Sequence, residues 1–403
     1  MSALPMTQVG EGLAPILEQA ARATSGPAWL AELRARGAEA FGLRGFPTMR
    51  DEEWRYTNVS PISRTPFEPV EDRPSIEGPF ARPFSEAWDG LERRLGSVAD
   101  ARPFSALNTA FLEDGAAVIV PPGTVVEEPI RLTFNAGAPG MSHPRVLIVL
   151  GEDAQATVIE SYTGTAGGRF RNALTEIVLG RGAVLDHTRL QDEGPGTYHV
   201  GTVTVRQEAA SQLTSHVVSL GALLARLEVA VALQGEGSGC VLNGLYLGRG
   251  RQHVDCRTIV DHLSPRASSN QLYKGVLDGS ARGVFDGRVV VHKNAQKTDA
   301  HQTNKNLLLS REALADSKPQ LEIYNNDVRC THGSTTGQLD PDALFYLRAR
   351  GLDERAAKGL LTYAFASELI GKLKAPALRA ALEARLMSWL PGSAADAKEE
   401  ARP

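Results

Sequence analysis

Cys330-Thr331-His332 is the place where this chain brings together residue types that do chemistry. Two residues apart on a strand, a thiol and an imidazole project from the same face, and both are ligands for soft transition metals. The same pattern also describes a buried cysteine beside a hydrogen-bonded histidine at a strand end. Two ligands fall short of the four that a closed zinc or iron-sulfur site takes, so a metal here would need a distant residue or a second chain. His253 and Cys256 are three apart and face opposite sides of a regular strand, which argues against joint chelation. Asp255, Arg257 and Asp261, with Asp278, Arg282, Asp286 and Arg288, offer carboxylates and cations that stacked strands could gather into a carbohydrate-cleaving site. Polar residues on solvated turns are the plainer account of them. In Lys297 to Asn304, alternation puts Thr298, Ala300, Gln302 and Asn304 on one side, where hydroxyls and amides can form hydrogen-bond ladders between strands. There is no GxxxxGK[ST] loop, no HExxH helix and no nucleophile elbow, and the glycine clusters at Gly235 to Gly239 and Gly248 to Gly250 read as turns because no helical pattern follows them.

The elements that must position these residues are mostly strands. From about Ala116 to Tyr324 the chain alternates β-branched runs (AVIV, RVLIVL, ATVIES, LTEIVL, VTVRQ, GRVVVH) with turn signals about 13 to 16 residues apart. A local template recurs at every second turn, in VLGEDAQATV, VLGRGAVLD, RQEAASQLTS and LQGEGSGCVL, so one coil of two strands and two turns takes about 28 residues. Self-similarity of this kind favours a β-solenoid over an antiparallel sandwich, whose turns have similar spacing. Before it, Leu13, Ile16, Leu17 and Ala20 have helical spacing, a second helix follows Pro27, residues 61–83 form a proline-rich connector, and a short helix is expected from Ser85 to about Leu95. After it, Asp340-Pro341 caps a helix that Gly351 stops, and two more apolar stripes follow, the last opening at Pro376. The expected organisation is an N-terminal helical domain with its connector over 1–110, the solenoid over 111–325, a C-terminal helical domain over 326–390 and a disordered tail over 391–403.

Composition narrows the function classes. A net charge of -4 gives no push toward nucleic acid, and three cysteines (Cys240, Cys256, Cys330) are too few and too odd in number for a disulfide framework, which fits a reducing compartment. Neither a secretory start nor an apolar run of membrane-spanning length is present, so a soluble cytoplasmic protein is expected.

Several segments are similar to the SufB/SufD family of iron-sulfur cluster assembly scaffolds: QLYKG from Gln271, KTDAHQTNKNLLL from Lys297, KPQLEIYNNDVRCTHG from Lys318 and LFYLRARG from Leu344. Asp51-Glu52-Glu53-Trp54-Arg55-Tyr56-Thr57 resembles a motif of the SufD branch, and glycine after His332 departs from the His-Glu pair of the SufB branch. The resemblance implies a right-handed parallel β-helix core flanked by helical domains. It implies a non-catalytic scaffold that pairs with a SufB-like paralogue, binds a SufC-like ABC ATPase, is served indirectly by a cysteine desulfurase system, and is able to form a homodimer when isolated. It places His332, with Cys330 beside it, at a shared site for iron or a transient iron-sulfur cluster. Cys330, His332 and Tyr324 would then lie at the SufB interface, and Leu344, Phe345, Tyr346, Leu360, Tyr363 and Phe365 in the ATPase-binding region. Reduced FAD in the assembled complex is a further expectation of the resemblance. A SufB-like sulfur acceptor and a cytosolic β-helix lyase or hydrolase stay open as alternatives.

Overall fold

The computed structural model describes residues 13–135, 137–165 and 167–390; the expected tail over 391–403 lies outside them. The strand and turn signals resolve into a flattened β-solenoid of about eight coils, built from one nine-stranded and one ten-stranded sheet. Successive coils pair in parallel and in register: Leu224 lies opposite His253, and His253 opposite Arg282. Contacts such as Arg257 to Asp286 therefore span 29 residues, close to the period expected from the recurring template.

Alternation along each strand sends one set of side chains into the lumen and the other onto the outer faces. Leu185, Val203, Val217, Val229, Leu242, Val260 and Phe285 form one continuous lumen core, and Cys240 and Cys256 belong to it. Two glycines make room for bulk from the adjacent coil: Tyr273 sits against Gly244 and Tyr246 against Gly275, where a Cβ would collide with the facing ring. The lumen also carries charge that the sequence reading did not single out. Glu160 accepts from Tyr162 Oη at 2.9 Å and is bound by His187 at 2.9 Å and Arg189 at 3.1 Å, while Glu193 holds Arg171 at 2.8 Å and His199 at 2.7 Å. The available signal was parity, since Glu160 sits at a core-facing position two residues beyond Val158.

The two outer faces carry the two helical domains. Helices Ala28–Arg44 and Pro103–Ala110 cover the ten-stranded sheet, with Phe41, Trp54, Phe104 and Phe170 in one cluster. Helices Glu354–Ile370 and Pro376–Trp389 cover the nine-stranded sheet, packing Leu369, Leu382 and Leu386 on Val218, Leu245 and Leu307. The short helix expected from Ser85 is instead two 3-10 turns, Phe84–Glu86 and Trp88–Gly90. Ala87 between them, at φ -136° and ψ 6°, breaks the ladder while Phe84, Leu91 and Leu95 are still buried against Leu30 and Leu33. Within the proline-rich connector, strands Ser75–Glu77 and Ala81–Pro83 add antiparallel to the first coil and cap both sheets at that end. At the other end the final strand, Arg329–Gly337, carries the solenoid past 325, so Cys330 and His332 belong to its last coil rather than to the helical domain.

Candidate functional site

The last coil consists of strands Leu314–Ile323 and Arg329–Gly337, one at the edge of each sheet. Its turn is fixed locally. Asn325 Oδ1 accepts from Asp327 N at 2.9 Å, Asn325 Nδ2 reaches back to Lys293 O, and Asp327 O accepts from Lys297 N at 2.7 Å. The parallel register then places Cys330 over Ala300, His332 over Gln302, Ser334 over Asn304 and Thr336 over Asn306. Those four partners are buried lumen residues, so Cys330 and His332 continue the inward-facing column. The expectation that they share a face holds.

What sets them apart from the same column one coil earlier is that no further coil among the described residues covers them. Ala300 and Gln302 are each 1% exposed, whereas His332 is exposed and Cys330 half-buried. Cys330 packs beside Val289, Ala300, Leu321 and Val328. Burial pushes its thiol above the usual range, and the Asp299 carboxylate adds to the effect, so at neutral pH it is a protonated thiol. Across the lumen mouth, Ser334 donates to or accepts from Ser317 at 2.7 Å. On the outer face, Thr331 meets His301 Nδ1 at 2.7 Å and His301 Nε2 lies 2.9 Å from Asp299. No cluster of three or more His, Cys, Asp or Glu side chains placed to hold a metal occurs among the described residues. Cys330 and His332 are thus two candidate ligands with no third placed beside them among the described residues.

The other sequence candidates are distributed as follows. Tyr324, 57% exposed, follows the edge strand and holds it through Tyr324 N to Val291 O at 2.9 Å. Phe345 and Tyr346, 74% and 57% exposed, stand on helix Pro341–Ala349, which buries no residue; Leu344 is partly covered and Leu360 is exposed. Tyr363 and Phe365 instead turn toward the solenoid, where Lys274 Nζ lies 4.6 Å from the Phe365 ring centroid and donates to Phe365 O. Cys240 and Cys256 are 3% exposed inside the lumen; burial raises the Cys240 thiol to about 12 and Cys256 likewise upward.

The Asp and Arg residues considered for carbohydrate chemistry are largely spent on structure. The segment Asp51 to Thr57 lies as a strap across the outer face of the ten-stranded sheet. Trp54 stacks under the Arg226 guanidinium at 3.8 Å, Glu53 binds Arg257 at 2.9 Å, Thr57 Oγ1 meets His253 Nε2 at 2.9 Å, and Glu52 reaches Lys318 at 2.7 Å. Beneath it Asp255 pairs with Arg226, Arg257 with Asp286, and Arg282 with Asp316. The strap thus ties the N-terminal domain to coils as far as the last one.

A stack of parallel coils flanked by helices defines the class as a β-solenoid protein, and relatives specify which kind. The profile described as "SUF system FeS cluster assembly, SufBD core domain" matches residues 132–365. An iron-sulfur cluster assembly SufBD family protein of Synechocystis sp. is 31% identical over 93% of this chain and 94% of its own length. The iron-sulfur cluster assembly protein SufD of Escherichia coli is 30% identical over 87% of this chain and 90% of its own, and that of Bacillus subtilis 27% identical over 73% and 68%. The chain belongs to the SufBD family of iron-sulfur cluster assembly proteins, and within that family it resembles the proteins named SufD.

Proposed function

We propose that this chain is the SufD-type scaffold subunit of a SUF assembly complex, non-catalytic in itself, in which a SufB-like paralogue covers the open end of the solenoid and the two chains build a nascent iron-sulfur cluster or acquire iron between them. The observation that supports it most is the pair Cys330 and His332 at the mouth of a lumen that nothing among the described residues closes. Long edge strands invite pairing with another chain, and a proteinaceous lid on this coil would supply the ligands that are missing. Iron or the growing cluster is the cargo of this site. His332 would bind it through a ring nitrogen, and Cys330 would lend a thiolate once the positive charge of the metal displaced its proton.

The exposed Phe345, Tyr346 and Leu360 on the C-terminal helices form the surface offered to a SufC-like ATPase. Helix Glu354–Ile370 is tied to the solenoid through Lys274 and Glu368, so movement of the ATPase would be felt by the sheet that carries His332. No helix among the described residues is long and apolar enough to cross a membrane, which accords with assembly in the cytoplasm. The test is co-expression with SufB-like and SufC-like partners. His332→Ala is expected to co-purify as the complete complex with cluster yield reduced by at least tenfold, and full yield from that complex would remove the site assignment. Turnover of a polysaccharide by the isolated chain would overturn the scaffold reading itself.

A further inference from the structure

Directly beneath His332 lies an amide whose hydrogen bonds are missing. Gln302 is 1% exposed, and neither its Nε2 nor its Oε1 has a partner. Its neighbours in the same lumen are each bonded through at least one amide atom, although Gln271 Nε2 is also without a partner among the described residues; only Gln302 among them lacks both. Gln271, one coil below, accepts from Thr258 Oγ1 at 2.6 Å; Asn304 Nδ2 reaches Tyr273 O at 3.2 Å; and Asn306 Nδ2 donates to Asn304 Oδ1 at 2.8 Å. Burying an amide without partners costs about 1 to 3 kcal/mol, and an apolar residue of the same shape would avoid that cost. Space has nevertheless been kept for this group. Gly287 lies against it across the lumen, where a Cβ would fall 2.3 Å from Gln302 Nε2. Above it, in register on the adjacent strand, His332 is exposed and its imidazole has no side-chain partner among the described residues, and adjacent strands are only about 4.8 Å apart. A neutral imidazole has one N–H donor and one acceptor nitrogen, and a histidine that binds metal through one nitrogen generally donates the other to an oxygen that fixes its tautomer and orientation.

Building on the cargo site proposed above, we infer that Gln302 is the positioning residue of His332: with cargo bound, its amide oxygen accepts the ring N–H and turns the other nitrogen toward the metal at the lumen mouth. Gln302 touches neither the metal nor the partner chain. It acts from the sealed coil below, and in the unpaired chain its amide is held in reserve.

The experiment uses the co-expressed three-component complex with Gln302→Leu, Gln302→Glu, His332→Ala and the double variant Gln302→Leu/His332→Ala, and reads cluster yield per assembled complex together with the thermal midpoint of each isolated chain. Gln302→Leu is expected to lower yield by about 10- to 100-fold, the range seen when groups supporting metal-binding histidines are removed. Its midpoint should be unchanged or higher, because no hydrogen bond is lost. Gln302→Glu should restore most of the yield, since the carboxyl group keeps the acceptor oxygen whether or not it is protonated. In the His332→Ala background, Gln302→Leu should have no further effect. Wild-type yield from Gln302→Leu alongside a defective His332→Ala would overturn this inference alone, as would a yield that falls only together with the midpoint or with recovery of the complex. Full yield from His332→Ala would overturn both this inference and the cargo site on which it rests.

Discussion

The two ends of the solenoid are finished in opposite ways. At the first coil the chain folds its own connector back, and two three-residue strands, Ser75–Glu77 and Ala81–Pro83, cap both sheets in antiparallel fashion. Short edges with proline at their limit discourage further pairing. At the last coil, strands of ten and nine residues, Leu314–Ile323 and Arg329–Gly337, have an outer edge that no strand among the described residues pairs with, although Pro319 interrupts the first of them. The cysteines divide the same way: Cys240 and Cys256 are sealed in the lumen, and Cys330 is in the uncovered coil. One protein thus holds the same residue type as packing material and as a candidate ligand, and the difference lies in whether a further coil lies on top.

The largest expected contrast is in thiol reactivity. In the native isolated chain a maleimide should label Cys330 without unfolding, at a rate slowed by its raised thiol, while Cys240 and Cys256 wait for unfolding, at least about 10³-fold more slowly given ordinary domain stabilities. Prompt labelling of all three would break the contrast. A smaller but still large difference is expected in packing. Phe285→Ala, in the closed lumen, should cost about 3 to 5 kcal/mol in denaturant unfolding, and Leu321→Ala, in the uncovered coil, less than about 2 kcal/mol. Equal costs would mean that the last coil is as well packed as the others.

Acid should act on the sealed region first and in one direction. Burial lowers His262 from 6.5 to about 4, so it stays neutral in the folded chain while the unfolded chain takes up a proton near its ordinary value. Stability is therefore lost as pH falls from about 6.5 toward 4. For Glu160 and Glu193 burial alone would raise the carboxyl, but His187 and Arg189 on the first, and His199 and Arg171 on the second, hold both down to about 2. Their contribution is present above the ordinary value of 4.5 and is lost as pH falls toward 2. Unfolding midpoints in denaturant should decline throughout acidification; a rise between pH 6.5 and 4 would contradict this charge assignment.

Much of this was legible in the sequence because repeats write themselves into turn spacing and parity. Glycine-marked turns and the recurring template gave a coil length of about 28 residues against register offsets that run from 26 (Tyr198 to Leu224) to 32 (Arg282 to Leu314), and the two-residue spacing of Cys330 and His332 placed them on one face. What spacing could not show was which coil is last, since a strand that ends a stack is written in the same alternation as one inside it. Hence Arg329–Gly337 was expected in the helical domain although it pairs with Asp299–Leu308. The strap was equally hidden. Glu52, Glu53, Trp54 and Thr57 meet partners some two hundred residues away, and nothing local marks Asp255 and Arg257 as theirs rather than a substrate's. Gln302 was visible only as one member of a polar ladder, because a missing hydrogen bond is a property of three dimensions.

The central claim is that function resides in the uncovered coil and is completed by another chain. It is tested most directly by measuring cluster formation in the purified complex of this chain with SufB-like and SufC-like partners, comparing His332→Ala with the double substitution Cys240→Ala/Cys256→Ala. The account predicts that both complexes assemble, that the first loses at least tenfold in cluster yield, and that the second retains it. Full yield from His332→Ala, or loss of yield from an assembled complex lacking only the two lumen cysteines, would contradict it.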